Sequence, residues 1–478
     1  MADEKGIAVK KEDDFSEWYT NVVVKSGVAE YSSVSGCLVL KPLGYEIWER
    51  IKNRVDNGFK KLGIKNAYFP LFIPEKLLNK EKEHFEGFTP EVAWVTHAGN
   101  TKLDERLAVR PTSETIMYDS YKNWIRSWRD LPLKINQWNN VVRWEFKHPV
   151  LLLRTREFLW NEGHTCFATK EEAEAEGKDI INIYKDTTEN MLALPGFIGK
   201  KTDKEKFAGA EYTITIEHLL PQGKAIQGPD FHYDGQNFSK AFGIKFLNQD
   251  EKEQYVYQNT FAISTREIGV MIAVHSDNKG LVLPPEIAPL QIIIIPIFKA
   301  EDKEKVLKEA EKLKHYLKEF SVELDERDYY TPGWKYHEYE MKGVPLRIEI
   351  GPKDIEKEQV VFARRDNHKK EFVKIKDIEK YAKETLDDIQ KSLYKKAKNF
   401  LDESTVKITT FKEFSNAIND KKIVLAPFCG DIACEEDIKQ KSDGVKSLNM
   451  PLEQKSISEK CFCCSKPAKF WVHFGKSY

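Results

Sequence analysis

The stretch Val141–Thr169, which reads VVRWEFKHPVLLLRTREFLWNEGHTCFAT, decides the fold of this chain. In its first half, Arg143, Glu145 and Lys147 alternate with large apolar residues. Residues two apart in a strand point to the same face, so this pattern predicts a strand with one charged face and one buried face. The same alternation is also typical of an ordinary sheet with one solvated face.

The second half of the stretch begins after His148-Pro149. Arg154, Phe158 and Glu162 follow at four-residue spacing, in an aromatic run that favours a second strand. Arg-x-Glu, a loop and then Arg-x-x-x-Phe-x-x-x-Glu resembles motif 2 of the class II aminoacyl-tRNA synthetases, in which two antiparallel strands hold ATP. The wording of the stretch resembles prolyl-tRNA synthetases of the archaeal and eukaryotic-cytoplasmic type.

Composition limits the other possibilities. A chain of 478 residues is too long for one core, which predicts several domains. Lys and Arg number 75 and Asp and Glu 76, so any basic surface for nucleic acid must be local. The longest apolar run, Leu290–Phe298, is much shorter than a membrane span, and the acidic N-terminus is unlike a signal or transit peptide. We therefore expect a cytoplasmic protein without a membrane partner.

The resemblance implies an α/β multidomain architecture. Residues 1–289 would form the class II catalytic domain, an antiparallel sheet with helices. Residues 290–380 would form an α/β anticodon-binding domain, and residues 381–478 a C-terminal zinc-binding α/β domain. Little chain separates motif 2 from Phe261, so we expect no inserted editing domain.

A long amphipathic helix is predicted from Leu43 to Leu62, because apolar residues recur every three or four positions before Gly63. The aromatic segment Ala67–Phe72 predicts an edge strand, since Pro70 would forfeit a ladder bond in a central strand. Together they resemble motif 1, which forms the dimer interface in class II synthetases. The resemblance therefore implies a homodimer.

An amino-acid pocket is predicted around Thr112 and Glu114. Pro-Thr-Ser-Glu is equally typical of a helix start, with a hydroxyl cap and an acid in the first turn. In prolyl-tRNA synthetases the matching Thr and Glu read the imino group of proline. A hydrogen-bond acceptor beside an anion suits a charged secondary amine.

Other segments would complete this pocket. The resemblance implies that Arg143 binds the carboxylate of L-proline, and that Trp160, Phe207 and His232 form a rigid slot that rejects larger side chains. We expect a strand over Phe207–Glu217, followed by a loop at 225–238 that carries His232.

ATP contacts are predicted in motif 2 and in a third motif. The segment Tyr257–His275 reads as a strand leading into a helix at Arg266, which resembles motif 3. The resemblance implies two catalytic arginines, with Arg143 on the α-phosphate and Arg266 on the γ-phosphate. Glu145 would accept from the adenine amino group, and Phe158 would stack on the ring. Further predicted ATP contacts are Arg154, Thr155, Gln227 and Ser264. Mg²⁺ is expected on the phosphates, with its protein ligands left open.

A small α/β unit is predicted after the prolines at 284, 285 and 289, with strands at 292–297, 347–350 and 360–364 and a helix at 303–320. Within it, 331–354 resembles the anticodon-binding domain of prolyl-tRNA synthetases. We predict that Glu340, Arg347 and Arg364 read the two guanines of proline anticodons, because carboxylate and guanidinium groups pair with guanine edges.

Cysteines cluster near the C-terminus as Cys429-x4-Cys434 and Cys461-Phe-Cys463-Cys464. Two such clusters predict a structural zinc held by four thiolates. General zinc spacing favours Cys464 as the fourth ligand, whereas the resemblance favours Cys463, which we predict beside Cys429, Cys434 and Cys461. The last residues also resemble the family, in which the terminal carboxylate folds back toward the active site, so Tyr478 would support catalysis indirectly.

The resemblance implies a two-step reaction. Proline and ATP would give prolyl-adenylate and pyrophosphate, and the prolyl group would then pass to tRNA(Pro). No protein nucleophile is needed, so catalysis would consist of positioning and charge stabilisation. Two alternatives remain: another synthetase of the same subclass, for example for threonine or glycine, and a non-catalytic tRNA-binding or regulatory relative. Arg143, Glu145 and Arg266 argue against the second.

Overall fold

The first unit of the fold is built on the strands of the motif 2 stretch. The computed structural model describes residues 6–84, 91–145, 148–455, 457 and 459–478, and the predicted strand residue Lys147 lies outside them. The helices of this unit are α1 (Phe15–Lys25), α2 (Pro42–Lys61), α3 (Glu75–His84), α4 (Glu114–Trp124), α5 (Lys170–Lys185), α6 (Asn237–Phe242) and α7 (Arg266–His275). Its strands are β1 (Ala29–Tyr31), β2 (Leu38–Leu40), β3 (Lys65–Asn66), β4 (Phe72–Pro74), β5 (Trp94–Ala98), β6 (Thr101–Val109), β7 (Leu133–Val142), β8 (Glu157–Phe167), β9 (Phe197–Lys200), β10 (Tyr212–Leu219), β11 (Lys224–Gly235), β12 (Lys245–Leu247), β13 (Glu253–Tyr255) and β14 (Tyr257–Ala262).

The second unit is the small α/β unit predicted from the sequence. Its strands are β15 (Ile292–Pro296), β16 (Val322–Leu324), β17 (Leu346–Ile350), β18 (Gln359–Arg364) and β19 (Lys370–Lys374). Its helices are α8 (Lys303–Tyr316), α9 (Pro332–Met341), α10 (Pro352–Glu356) and α11 (Ile378–Glu403). The sheet order is β16-β15-β17-β18-β19, and α8 and α11 bury their apolar faces against it. Among the described helices, none is both long and apolar enough to cross a membrane.

The third unit shares a sheet with the first. It contains β20 (Thr405–Lys407), β21 (Ile423–Phe428), β22 (Lys446–Pro451) and β23 (Phe470–Ser477), with α12 (Phe411–Asn419) and α13 (Ile432–Lys441). The common sheet has eleven strands in the order β20-β21-β23-β22-β9-β10-β11-β14-β8-β7-β3. β22 pairs with β9, and β23 also runs parallel to β11. The C-terminal unit therefore extends the sheet that carries motif 2.

The largest apolar core lies between this sheet and the helices of the first unit. Ile51, Val55 and Phe59 of α2 are buried there with Tyr184 and Ile268. The predicted amphipathic helix is thus confirmed, and its apolar stripe is the reason that it packs on the sheet.

The motif 2 strands differ in length from the prediction. β7 and β8 are antiparallel as expected, and their last ladder pair is Val142↔Glu157. The strand does not continue through Glu145, because the amide of Trp144 donates to the carbonyl of Glu91 rather than to β8. Trp144 is exposed instead of facing a core. Of the alternating charges, Arg143 and Glu145 therefore lie beyond the end of the strand, in a segment without regular secondary structure.

Two further segments correct the prediction. The expected loop that carries His232 is β11, a strand paired with β10 and β14. Its Gly228-Pro229 lies in a bulge between the pairs Thr215↔Asp230 and Glu217↔Gln227, which explains why the composition looked like a loop. The aromatic segment at 67–71 forms no strand, because β3 ends at Asn66 and β4 begins at Phe72.

The close approach of β8 and β14 gives a stability test at Gly163. An added Cβ at Gly163 would lie 1.9 Å from the ring of Phe261. We expect Gly163→Ala to lower the free energy of unfolding by about 1–3 kcal/mol, because the added methyl overpacks the core. Gly333→Ala is the control, since no atom lies within 4 Å of its added Cβ. Denaturant titration of both variants checks this, and an unchanged midpoint for Gly163→Ala would contradict the packing.

Candidate active site

Two adjoining cavities open above the motif 2 strands. The larger has a volume of about 380 Å³ and is lined by β8, β11, β14, the start of α4 and the turn at 201–207. The smaller, of about 60 Å³, lies between the motif 2 loop and the start of α7. Arg143 and Glu145 line both cavities. The middle of a ligand that fills both cavities would therefore contact these two residues of the motif 2 loop.

Arg143 is held in place before any ligand binds. Its Nε donates to the carbonyl of Pro111 at 2.9 Å. Its guanidinium carbon lies 5.0 Å from the ring centre of Trp160 and 5.6 Å from that of Phe158, distances at which a cation is attracted to an aromatic face. Among the described residues, its side chain makes this hydrogen bond through Nε alone, so both terminal nitrogens can bind an anion.

A buried carboxylate organises the floor of the larger cavity. Glu162 is 2% exposed, and its oxygens accept hydrogen bonds from Thr112 Oγ1 at 2.8 Å, Ser113 N at 2.6 Å, Ser113 Oγ at 2.8 Å and Asn139 Nδ2 at 2.8 Å. Burial alone would raise the pKa of Glu162, but His164, Asn139 and Ser113 outweigh burial and hold this pKa at about 2. In the sequence, Glu162 is marked only by its four-residue spacing from Phe158, which gives no sign of this role.

The Thr112 and Glu114 predicted for the imino group both line the larger cavity. A helix does begin here, with Ser113 as its N-cap residue, yet the Ser113 side chain makes no capping bond. Thr112 donates its hydroxyl hydrogen to Glu162, so its oxygen lone pairs remain to accept from a ligand N–H. Glu114 adds a carboxylate that is 6% exposed.

The three predicted slot residues are brought together in the same cavity. Trp160 Nε1 donates to Asn139 Oδ1 at 2.7 Å, and the rings of Phe207 and His232 have centres 4.9 Å apart. Thr213 Oγ1 lies 2.7 Å from His232 Nδ1 and accepts from the amide of Phe207. Burial lowers the pKa of His232 more than Asp230 raises it, so the ring is neutral at neutral pH.

The smaller cavity gathers most of the predicted ATP contacts. Thr155, Phe158, Ser264 and Arg266 line it together with the two loop residues described above. Arg266 donates from Nε to the carbonyl of Leu153 at 3.3 Å and from Nη1 to the carbonyl of Gln227 at 3.0 Å. Gln227 lines the larger cavity, whereas Arg154 is exposed and lines neither.

A buried ion pair that the sequence analysis missed supports this region from behind. His218 Nε2 lies 3.2 Å from Glu267 Oε2, and both side chains are 1% exposed. Burial would lower the pKa of His218, but the Glu267 carboxylate raises it above its usual value. A Cβ on Gly228 would lie 2.7 Å from Glu267 Oε1. The glycine, which follows Gln227, therefore lets β11 lie against this pair, and Glu267 follows Arg266 in the chain.

The C-terminal thiols form one cluster, and it corrects a predicted ligand. Cys429, Cys434, Cys461 and Cys464 place their sulfur atoms within 4.8 Å of one another. The pairs Cys434–Cys461 and Cys429–Cys464 are 3.8 and 3.6 Å apart, close to the roughly 3.8 Å between sulfurs of a tetrahedral zinc site. The predicted fourth ligand Cys463 lies outside this group, because the turn after Cys461 brings the third following residue back to the cluster.

The predicted anticodon residues separate into two places. Arg347 Nη1 lies 3.2 Å from Glu340 Oε1, and its guanidinium carbon is 4.1 Å from the ring centre of Tyr336. Arg364 is not with them. It pairs with Leu346 in the ladder, one residue out of step with Arg347, so it points to the opposite face, where it binds Asp366.

The end of the chain returns to the catalytic strands, as the resemblance implied. Ser477 pairs with Ala225 of β11, and the amide of Tyr478 donates to the Ala225 carbonyl at 2.8 Å. Ala225 is two residues before Gln227, so the C-terminus supports the strand that lines the larger cavity.

The low pKa of Glu162 gives a prediction for acid stability. The ordinary pKa is 4.5 and the folded value is about 2, so the stabilisation is complete above pH 4.5 and is lost as the pH falls toward 2. The shift corresponds to about 3 kcal/mol. Glu162→Gln should unfold more easily than wild type at pH 7 and lose less stability on acidification. Denaturant midpoints between pH 3 and pH 7 measure this, and parallel curves for the two proteins would contradict it.

Comparison with known families agrees with this geometry. The "tRNA synthetase class II core domain (G, H, P, S and T)" matches residues 94–275. The "Anticodon binding domain" matches residues 291–385, and "Prolyl-tRNA synthetase, C-terminal" matches residues 411–478.

Similar proteins match almost the whole of this chain. The chain is 52% identical to proline--tRNA ligase of Ruminiclostridium cellulolyticum over 98% of this chain and 97% of that protein. It is 50% identical to proline--tRNA ligase 2 of Bacillus thuringiensis over the whole of both chains, 100% of each. The crystal structure of prolyl-tRNA synthetase from Cryptosporidium parvum, complexed with halofuginone and AMPPNP, superposes with a TM-score of 0.95 at 46% identity, covering 99% of this chain and 97% of that chain. The chain therefore belongs to the prolyl-tRNA synthetase family of class II aminoacyl-tRNA synthetases.

Proposed function

We propose that the chain activates L-proline with ATP and transfers the prolyl group to tRNA(Pro). One observation carries this proposal: a slot walled by Trp160, Phe207 and His232 opens beside Arg143, which also lines the neighbouring cavity. The slot fits a small ring, and the arginine stands where an amino-acid carboxylate would meet a phosphate. Full-length relatives named proline--tRNA ligase support the same function.

In the first step the carboxylate of proline attacks the α-phosphate of ATP, and pyrophosphate leaves. Thr112 accepts from the imino group and Glu114 offsets its charge, because a secondary amine carries two N–H bonds and a positive charge. Arg143 binds the proline carboxylate and the α-phosphate. These groups hold the reacting atoms in line, which is the main contribution available without a protein nucleophile.

Arg266 acts on the other end of the nucleotide, at the γ-phosphate. Burial lowers the pKa of Arg266, and the positive charge of Arg143 lowers it further, whereas the negative charge of Glu267 raises it. Two guanidinium groups in this partly buried place repel each other until an anion binds. Phe158 stacks on adenine while Glu145 accepts from its amino group. The remaining proposed ATP contacts are Thr155, Gln227, Ser264 and, from outside the cavity, Arg154. Mg²⁺ on the phosphates would supply further charge neutralisation.

In the second step the tRNA must be recognised at a distance from this chemistry. We propose Glu340 and Arg347 as readers of the anticodon guanines, supported by their contact with each other and with Tyr336. In the free protein the Glu340 carboxylate and the Arg347 guanidinium contact each other. A bound guanine would accept hydrogen bonds from Arg347 and donate to Glu340, so neither charged group would be left without a partner.

The assembly proposed is a cytoplasmic homodimer. Some of the large apolar side chains that are exposed in the monomer lie on or next to its N-terminal elements, among them Tyr31, Val39, Tyr45, Tyr68 and Phe72. Exposed apolar residues in neighbouring elements are typical of a protein interface.

We also propose that the chain divides into a catalytic domain at 1–289, an anticodon-binding domain at 290–380 and a C-terminal domain at 381–478. The helix α11 connects the second domain to the third.

The C-terminal thiol cluster is proposed to hold structural zinc. Cys429, Cys434, Cys461 and Cys464 fit a closed four-thiolate site, in which the metal stabilises the fold and takes no part in the reaction. We expect Cys464→Ser to lose zinc and to unfold at a lower temperature, since one of four ligands is removed. Cys463→Ser is the matched control and should retain wild-type zinc content. Metal analysis and thermal unfolding measure both, and zinc loss in the Cys463 variant alone would reverse the ligand choice.

The decisive test is proline-dependent exchange of pyrophosphate into ATP. Arg143→Ala should reduce the exchange rate at least about a hundredfold, because a fixed cation at the developing phosphate charge is removed. Its circular dichroism should match wild type, since the side chain lies at a cavity. Arg129→Ala, at an exposed position, is the control and should exchange like wild type.

Three outcomes would count against the proposal. Normal exchange by Arg143→Ala would refute the role of this arginine. Exchange by wild type with threonine or glycine in place of proline would assign another amino acid. Absence of exchange with every amino acid would favour a non-catalytic tRNA-binding relative.

A further inference from the structure

A short turn at 201–207 forms one wall of the larger cavity. Lys201, Glu205, Lys206 and Phe207 of this turn line it. The turn follows β9 and contains neither helix nor strand. A wall without regular backbone pairing needs other contacts to keep its shape, so the contacts of this turn decide the shape of the cavity.

The ends of the turn are tied to the catalytic sheet. The amide of Lys201 donates to the carbonyl of Thr213 at 2.8 Å, and the amide of Phe207 donates to Thr213 Oγ1 at 3.1 Å. Inside the turn, the carbonyl of Thr202 accepts from the amides of Glu205 and Lys206 at 3.2 and 2.9 Å. The backbone of Thr202 is therefore the centre around which the turn closes.

The side chain of Thr202 points into the C-terminal unit, away from the cavity. Its hydroxyl donates to Glu435 Oε1 at 3.1 Å, and the hydroxyl of Ser447 donates to the same oxygen. The residues Thr202, Glu435 and Ser447 are 5, 3 and 2% exposed. Glu435 lies on α13 and Ser447 on β22, so one buried carboxylate oxygen joins three segments.

The strength of this contact follows from burial. A buried carboxylate is costly unless its oxygens accept hydrogen bonds, so the Glu435 site strongly favours the conformation in which Thr202 donates. Two half-buried ion pairs flank it, Lys204 with Glu436 at 2.9 Å and Lys446 with Glu205 at 3.6 Å. Water still reaches one partner of each pair, so these pairs contribute little. The hydrogen bond from Thr202 is thus the main side-chain link between the C-terminal unit and the turn.

We propose that Glu435, in the C-terminal unit, is a positioning residue for the amino-acid cavity, because it holds the wall at 201–207 through Thr202. The proposal rests on the function proposed above, in which this cavity binds proline. Glu435 does not touch the substrate. Its removal would loosen the wall that contacts proline while leaving the nucleotide cavity, which contains no residue of the turn, as it is.

The experiment compares four variants in the full-length protein. Glu435→Leu and Thr202→Val each remove the hydrogen bond, Thr202→Ser keeps the hydroxyl, and Asp437→Asn is the control. Asp437 lies on the same helix and pairs with Lys441 on the surface. We expect the KM for proline in pyrophosphate exchange to rise about tenfold in the first two variants, with the KM for ATP unchanged. Thr202→Ser and Asp437→Asn should keep the wild-type KM for proline.

Hydrogen exchange without substrate tests the contact independently of catalysis. Backbone amides at 201–207 should exchange faster in Glu435→Leu and Thr202→Val, while those of β8 keep their protection. Equal zinc content in all variants would show that the thiol cluster next to Glu435 is intact.

Two results would overturn the proposal. One is an unchanged KM for proline with unchanged exchange at 201–207. The other is an equal rise in the KM for proline and for ATP, which is the signature of general destabilisation. Failure of wild type to exchange pyrophosphate with proline would instead overturn the proposed function, and hydrogen exchange at 201–207 would still decide the contact. If Glu435→Leu does not fold, Thr202→Val decides.

Discussion

A single buried carboxylate, that of Glu162, is the constraint on which the site depends. Burying an unpaired carboxylate would cost several kcal/mol, on the order of the stability of the whole domain. Thr112, Ser113 and Asn139 satisfy its oxygens with hydrogen bonds from two other segments. The start of α4 and the strand β7 must therefore be in place against β8 for the fold to be stable. The cavity between them forms as a consequence.

The same carboxylate also fixes, through Asn139, the position of Trp160 in the wall of the amino-acid slot. Asn139 donates to Glu162 with its amide group, so its carbonyl oxygen is left to accept from Trp160 Nε1. This fixes the indole ring, and the guanidinium of Arg143 lies over that ring. The chain of contacts from Glu162 through Asn139 and Trp160 to Arg143 means that the slot and the anion site share one support. Neither can shift without exposing a buried polar group.

The sequence predicted the elements whose signal is local. The helix α2, the strand and helix of motif 3, and the strands β15, β17 and β18 of the second unit agree with the structure. The short strand β16 and the edge strand β19 of that unit were not predicted. β11 was missed because Gly228-Pro229 reads as a loop, although a bulge keeps the pairing on both sides. Arg364 was grouped with Arg347 because spacing along the chain does not reveal the register of two paired strands, which decides the face of the sheet on which each side chain lies. Glu162 was undervalued because its partners lie 23 to 50 residues away, beyond any periodic signal.

Catalysis without a protein nucleophile makes the fixation of side chains the central requirement. A long flexible cation would lose about 2 kcal/mol of side-chain entropy when it binds a phosphate. Arg143 and Arg266 lose part of it during folding, because backbone carbonyls of Pro111, Leu153 and Gln227 already hold their guanidinium groups. Those carbonyls come from the segment before α4, the motif 2 loop and β11, so the arginines are placed by three separate segments of the chain. Since β23 pairs with β11 and β22 with β9, that placement also depends on the last residues of the chain. The anion site is therefore a product of the whole fold, although motif 2 alone carries its most visible residues.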